Sequence, residues 1–397
     1  MENLENTQKV VDLEVQKNPY ISVILPCLNE EKAVGFCIES INKTAKQNNL
    51  DLEIIVVDNG STDSSTEIVE KFKLNQNNLI LISEPVKGYG SAYMRGLREA
   101  RGKYFFMADA DATYDFGDIP RFIEKLAEGN DVVIGNRFSG MMESKSMTFS
   151  HRWIGNPILS SLVKLFFKVK IHDIHCGARA ISRDAYSKIV LYTLGMEFAS
   201  EMIIKSAKAK LQIVEIPISY KMRIGDSKLE TFKDGWRHLR FILLYSPVVI
   251  FLIPGLILFL YGLVSMFVLY IGNFSLFGVQ LYFHPMFLSS LCMILGYELI
   301  FFTGFSRVYA ITHLGEKDKF LEKISRFATL EKALVFGSIL ALASILIFLS
   351  IFIGWIKSDL GNLNQTKNLI LALTFAIIGV QTITGSFMLS ILGIKEK

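Results

Sequence analysis

Residues 103–115 read Lys-Tyr-Phe-Phe-Met-Ala-Asp-Ala-Asp-Ala-Thr-Tyr-Asp, an apolar run that stops abruptly on carboxylates. Residues 104–108 predict a buried strand, because the run is short, aromatic-rich and bounded by Gly102 on one side and by charge on the other. Asp109 and Asp111 then fall at the strand's exit, the edge where ligands bind in open α/β sheets. Two carboxylates one residue apart can both reach a hard divalent cation that bridges phosphate oxygens. A solvated acidic turn carries the same letters, so the neighbouring segments decide the reading.

Those neighbours alternate strand and helix. Residues 20–25 (YISVIL) are a β-rich run closed by Pro26, which a central strand does not tolerate in its interior. Residues 30–46 place Val34, Cys37, Ile38, Ile41 and Ala45 at helical spacing. Residues 52–57 form a continuous β-branched-rich run, as in a parallel strand covered on both faces, and empty into Asp58-Asn59-Gly60-Ser61-Thr62-Asp63. A second helix, with Ile68, Val69 and Phe72 on one side, leads to a strand at 79–82 and the loop Lys87-Gly88-Tyr89-Gly90-Ser91. After a helix to Ala100 come the 104–108 strand and another at 131–134. The order β-α-β-α-β-α-β predicts a doubly wound, mostly parallel sheet. Gly88-x-Gly90 is no dinucleotide fingerprint, since the next glycine, Gly96, comes too late and inside a helix. The two glycines predict instead a small loop where a nucleotide lies close to backbone, beside a helix N-terminus that favours negative charge.

Composition divides the chain. Of 397 residues 51% are hydrophobic, and charge is frequent up to about residue 240 but sparse in the long runs beyond it. Residues 247–270, 285–305, 334–355 and 368–392 are each long enough to span a bilayer. Ahead of them, residues 231–246 carry Phe232, Trp236, Leu239 and Leu243 at helical intervals with Lys233, Arg237, His238 and Arg240 between, the pattern of an amphipathic interfacial helix. The expected organisation is a flexible polar arm over 1–19, an α/β domain over 20–230, the interfacial helix, and four transmembrane helices within 247–393. Arg307, Lys317, Lys319, Lys323, Arg326 and Lys332 lie between the second and third spans, which sets that loop and the α/β domain on the cytoplasmic side of a multi-pass protein. Glu298 is the one acid inside a span.

A net charge of +4 is too small to argue for nucleic acid. Cys27, Cys37, Cys176 and Cys292 have neither the density of a disulfide scaffold nor the spacing of a zinc knuckle, and reduced thiols are the simplest account. His172, Asp173, His175 and Cys176 invite a zinc reading, but no second ligand pair follows at usable spacing.

The set Leu25-Pro26-Cys27-Leu28-Asn29-Glu30, Val56-Val57-Asp58-Asn59-Gly60-Ser61, Lys87-Gly88-x-Gly90 and Asp109-Ala110-Asp111 resembles the family 2 glycosyltransferases. Gly135-Asn136-Arg137-Phe138, Asp173-x-x-Cys176-Gly177-x-Arg179, Gly195-Met-Glu197-Phe-Ala-Ser-Glu201 and Ser227-Lys228-Leu229 look like the branch that glycosylates polyprenyl phosphates, the dolichol-phosphate mannosyltransferase-like enzymes. The resemblance implies a GT-A fold, a Rossmann-like, mostly parallel α/β domain, with a nucleotide-sugar donor, a polyprenyl (dolichyl) phosphate acceptor and Mg²⁺ or Mn²⁺. It assigns Pro26, Leu28, Glu30, Asp58 and Gly88 to the nucleotide sugar and Asp109 and Asp111 to the metal. Thr113 stands where mannosyltransferase relatives place a metal-binding Gln, and a hydroxyl reaches less far. Cys27-Leu28 in place of Thr-Tyr, and Asn59 in place of an acid, leave the base open.

These residue types suit the chemistry. Moving a glycosyl group off a nucleoside diphosphate leaves negative charge on the departing phosphate, which a carboxylate-held metal stabilises directly. A phosphomonoester acceptor is largely a dianion at neutral pH, so it needs guidance more than deprotonation. Arg137, Arg152, Arg179, Arg223 and Lys228 are the cations available for it. The favoured reading is single-hexose transfer, glucose from UDP-glucose before mannose from GDP-mannose, by an enzyme that can form homo-oligomers. A processive synthase lacks support, because Asp234-Gly-Trp236-Arg-His-Leu-Arg240 is not Gln-x-x-Arg-Trp. A non-catalytic lipid-sugar carrier or flippase would have no use for both Asp109 and Asp111.

Overall fold

The computed structural model describes residues 18–143, 146–225, 231–272, 274–276, 279–313, 329–361 and 363–394. The chain divides into two compact units that meet in sequence between Leu239 and Arg240.

In the first unit the strands are β1 (Ile21–Cys27), β2 (Leu52–Asp58), β3 (Leu79–Ser83), β4 (Tyr104–Met107), β5 (Val132–Asn136), β6 (Arg179–Ser182) and β7 (Ile213–Pro217). They form one sheet in the order β3-β2-β1-β4-β6-β5-β7. β1 pairs in parallel with β2 and β4, and β2 with β3, whereas β6 runs antiparallel to both β4 and β5 and β7 returns parallel to β5. The helices are α1 (Val34–Gln47), α2 (Ser65–Lys73), α3 (Tyr89–Glu99), α4 (Ile119–Ala127), α5 (Asn156–Phe167), the one-turn α6 (Arg183–Tyr186) and α7 (Phe198–Lys208), and α8 (Thr231–Leu244) runs across the boundary between the units. All seven residues of β2 are buried, as its unbroken apolar run requires. The mostly parallel sheet agrees with the expectation; the reversed β6 is an addition that four residues could not announce.

This topology collects the site. β1, β2, β3, β4, β5 and β7 all end on one edge, and the antiparallel β6 begins there, with Arg179 in register with Met107 and Ile134. The loops after residues 27, 58, 83, 107, 136 and 217 therefore converge. At the opposite edge the buried Glu53 carboxylate takes the Ser22 hydroxyl at 2.6 Å and the Arg101 guanidinium at 2.8 Å, a closure that uses up its polar groups.

Among the described residues the second unit holds four helices long and apolar enough to cross a membrane, Val248–Ile271, His284–Thr312, Leu330–Lys357 and Thr366–Leu392. Met266, Leu269, Met286, Met293, Ile370 and Ile378 form its buried cluster. Hydroxyl pairs tie two helices together, Ser290 to Thr374 and Tyr297 to Thr382, each at 2.7 Å. Glu298 is the middle residue of its span and is exposed on the outer face of the helix, away from either end.

Candidate active site

Asp109 and Asp111 sit just past β4, and each carboxylate has one oxygen held by hydroxyls. Oδ1 of Asp109 accepts from Tyr89 at 2.9 Å and from Tyr93 at 3.2 Å. Oδ1 of Asp111 accepts from the Thr113 hydroxyl at 2.6 Å and the Thr113 amide at 3.1 Å. Ala112 makes that turn possible by adopting a φ of +61°, a left-handed backbone that costs a non-glycine residue about 1 kcal/mol. Thr113 is 1% exposed and donates its hydroxyl hydrogen to Asp111, so it holds that carboxylate in place. Burial first, and then the charge of Asp111, push the Asp109 carboxyl up to about 6, with the Tyr89 hydroxyl and Arg223 pulling the other way.

The second oxygens differ. Oδ2 of Asp109 lies under Gly177, where an added Cβ would come within 2.6 Å of it. Oδ2 of Asp111 faces Nη1 of Arg223 at 3.3 Å, and the same guanidinium gives Nη2 to Glu30. Arg223 was expected on the acceptor side; the structure places it on the carboxylates.

The residues assigned to the nucleotide line the ends of β1 and β2. Pro26 is half-buried, Leu28 is exposed and Glu30 is buried with its amide on Ser65. Asp58 closes its own turn, accepting from the amides of Gly60 and Ser61 at 3.2 and 3.1 Å. Asn59, in place of an acid, clamps the next loop: its amide nitrogen donates to the Glu84 and Val86 carbonyls, and its oxygen takes the Gly88 amide at 2.7 Å. The glycine loop corrects the sequence reading. A Cβ on Gly88 would meet the Leu194 carbonyl oxygen at 2.1 Å, and one on Gly90 the Thr193 oxygen at 2.1 Å. The amides of Gly90 and Ser91, at the start of α3, both donate to Leu194. These glycines make room for the chain's own backbone, so Gly88 is not placed to cradle a nucleotide, and the helix start is already occupied.

The cations sort into three conditions. Arg137 is buried and forks onto Asp173, Nε at 2.7 Å and Nη2 at 2.8 Å, with Tyr220 stacked at 5.1 Å. Burial opposes its charge, but Asp173 more than offsets that and holds its pKa well above the usual value. Arg179 is 2% exposed and donates to the carbonyls of Cys176, Ala199 and Ile174. That corrects its place on the acceptor phosphate: a guanidinium enclosed by main-chain oxygens has no face left for a ligand. Arg152 is exposed, lying over the Trp153 ring at 5.5 Å. Lys228 lies outside the described residues.

Glu201 is likewise committed, accepting from the Tyr192 and Thr193 amides and pairing with Lys205 at 3.1 Å. The four cysteines are free and buried, and burial pushes the thiols of Cys27, Cys37 and Cys176 up to about 12, as inert reduced thiols require.

One exposed apolar surface was missed from sequence. Phe149 (73% exposed), just ahead of the helical turn His151–Gly155, Trp153 (63%) and Ile154 on that turn, and Ile158 and Leu165 on α5 are all exposed. The signal existed, because 149, 153, 154, 158 and 165 recur at helical spacing, but Pro157 in their midst hid it. Tyr89, Tyr93 and Tyr220 were missed too, for they act across loops far apart in sequence.

Residues 22–190 match the family described as Glycosyl transferase family 2, and residues 304–393 match the Glycosyltransferase family 2 C-terminal transmembrane region. Over 376 residues the chain is 34% identical to the low-salt glycan biosynthesis hexosyltransferase Agl6 of Haloferax volcanii, covering 94% of this chain and 89% of that protein. It is 30% identical over 244 residues to the dolichyl-phosphate beta-glucosyltransferase of Saccharomyces cerevisiae, 54% of this chain and 72% of that one. The dolichol-phosphate mannosyltransferase of Pyrococcus furiosus is 28% identical over 225 residues, 55% of this chain and 62% of that protein.

Proposed function

This chain belongs to glycosyltransferase family 2, and from that premise we propose that it moves one hexose, glucose first, from a nucleotide sugar to a polyprenyl phosphate at the cytoplasmic face of a membrane, inverting the anomeric carbon. The observation that carries the reading is the carboxylate pair at the converging sheet edge. Asp109 and Asp111 keep one oxygen each on hydroxyls, while the other lies under Gly177 in Asp109 and faces Arg223 in Asp111. Among the described residues no group of three or more His, Cys, Asp or Glu forms a ready-made cage. Two carboxylates fit a Mg²⁺ or Mn²⁺ that completes its shell with diphosphate oxygens and water. Such a cation supplies stabilisation of the charge left on the departing diphosphate.

The chain's own residues do the rest. Tyr89, Tyr93 and Thr113 fix the carboxylates, so little reorganisation is needed when charge develops. Pro26, Leu28, Glu30 and Asp58 flank the nucleoside. Arg152 is the described cation best placed to meet an acceptor phosphate, because it stands exposed among Phe149, Trp153, Ile154 and Ile158, an apolar surface suited to a prenyl chain or a bilayer. Arg137 acts from behind, through Tyr220. The yeast relative favours glucose; the Pyrococcus relative keeps mannose from GDP-mannose as the second reading.

The test is a panel of UDP- and GDP-sugars offered to the detergent-solubilised chain with one short-chain polyprenyl phosphate and Mn²⁺, read by the mass of the lipid product. A hexose added from UDP-glucose alone is the expected result. No lipid product from any donor overturns the acceptor assignment, and product from GDP-mannose alone overturns the sugar.

A further inference from the structure

Asp111 already has a cation beside it. Its carboxylate is 6% exposed, and a buried carboxylate requires a partner charge. One oxygen belongs to Thr113, so whatever balances the charge must use Oδ2, and Arg223 uses it at 3.3 Å. The contact is a poor one for arginine. The guanidinium splits its two terminal nitrogens between Asp111 and Glu30 instead of forking onto either, and its buried Nε has no hydrogen-bond partner. Thirty-six residues apart in sequence, Arg137 and Asp173 set the contrast with a true bidentate pair.

Arg223 is also wired to the acid loop through its backbone. The Lys221 amide donates to the Thr113 carbonyl at 2.9 Å and the Ile224 amide to the Asp111 carbonyl at 3.2 Å. Tyr114 bridges Tyr220, and Tyr220 carries the Arg137 guanidinium on its ring. A divalent cation at Oδ2 of Asp111 would meet the Arg223 charge already 3.3 Å from that oxygen, so the two like charges compete for it.

We propose that Arg223 is the resident counter-ion of Asp111, and that a divalent cation binds by exchanging it off that carboxylate, loosening residues 220–224 from the acid loop. The inference rests on the metal-dependent transfer proposed above. It makes Arg223 a positioning residue that links the metal side of the site to Tyr220 and Arg137. By reciprocity, whatever holds residues 220–224 down weakens the metal.

The test uses the full chain in detergent, without nucleotide or lipid. Mn²⁺ affinity is read by electron paramagnetic resonance, and amide hydrogen exchange is followed in peptides covering 218–225. Arg223→Gln is expected to bind Mn²⁺ at least about fivefold more tightly than the natural chain. Arg223→Lys, which keeps the charge and loses the fork, falls between them. Mn²⁺ is expected to speed exchange at residues 220–224 of the natural chain but not of Arg223→Gln, while β1 and β2 peptides stay protected in both. Equal or weaker Mn²⁺ affinity in Arg223→Gln, or unchanged exchange in the natural chain, overturns the exchange while leaving metal binding intact. No Mn²⁺ binding by either protein overturns both this inference and the metal assignment beneath it. Should the Gln variant fail to fold, the Lys variant decides by the same two readings.

Discussion

Asp109, half-buried, and Arg137, buried, lie on the same sheet edge, yet they are balanced in opposite ways. Arg137 is closed: two nitrogens on Asp173, a ring on one face, and a pKa held high. Asp109 is open: one oxygen on two tyrosines, a like charge two residues away, and a carboxyl pushed up to about 6. A charge satisfied by its own scaffold builds the site, whereas one left short of compensation recruits a ligand. A cation inside a recognisable motif is therefore not for that reason available to a substrate, as Arg179 makes plain.

The largest effect expected on the open side is that of Asp109→Asn, which keeps an acceptor for Tyr89 and Tyr93 but removes the charge. Turnover should fall by about a thousandfold with the melting temperature unchanged or higher; turnover within tenfold of the natural enzyme would dissolve the distinction drawn here. On the closed side, Asp173→Ala strands the Arg137 guanidinium and should cost about 3 kcal/mol in a denaturant melt. Replacing both, as Arg137→Met with Asp173→Leu, should return most of that stability, and a double variant as weak as the single would show that the pair does more than compensate itself.

A third site sharpens the contrast through pH. His238 on α8 is buried against the Ser200 hydroxyl at 2.8 Å with the His175 ring at 4.4 Å, and burial, helped by the Arg179 charge, lowers its pKa from the ordinary 6.5 to about 4. The folded state thus prefers the neutral ring. Its contribution is whole above pH 6.5 and is lost as pH falls toward 4, amounting to about 2 kcal/mol by pH 5. His238→Gln should flatten the stability profile across that window, and an unaltered slope would place the ring in water. The smallest effect is steric. Gly177→Ala sets a methyl 2.6 Å from the open oxygen of Asp109 and 2.9 Å from the Tyr114 hydroxyl, and should lower Mn²⁺ affinity by roughly tenfold and stability by about 1 kcal/mol while the Arg137–Asp173 pair stays as it was.

Much of this was legible in the sequence because it is local. Apolar runs at 20–25, 52–57, 79–82 and 104–108 became β1 to β4, and the acids at the end of the fourth became the centre of the site. What stayed hidden depends on partners brought from far along the chain. No residue near Gly88 foretells that the Thr193 and Leu194 carbonyls press against it. Nothing in Arg179 betrays that three carbonyls enclose it at the entry to β6. Arg223 was assigned to phosphate because spacing alone cannot say on which side of a loop a side chain falls. The reversed β6 was lost for the plainer reason that four residues carry no readable period.

The contact between α3 and Leu194 has a consequence in time. The amides of Gly90 and Ser91 wait for a carbonyl that emerges from the ribosome roughly a hundred residues later, about 5 to 20 s at ordinary rates of synthesis. Until it arrives, the strands that carry Pro26, Asp58 and Asp109 exist without the brace that sets the loop between them. A nascent chain halted before residue 194 would hold a half-built donor side with an open helix end.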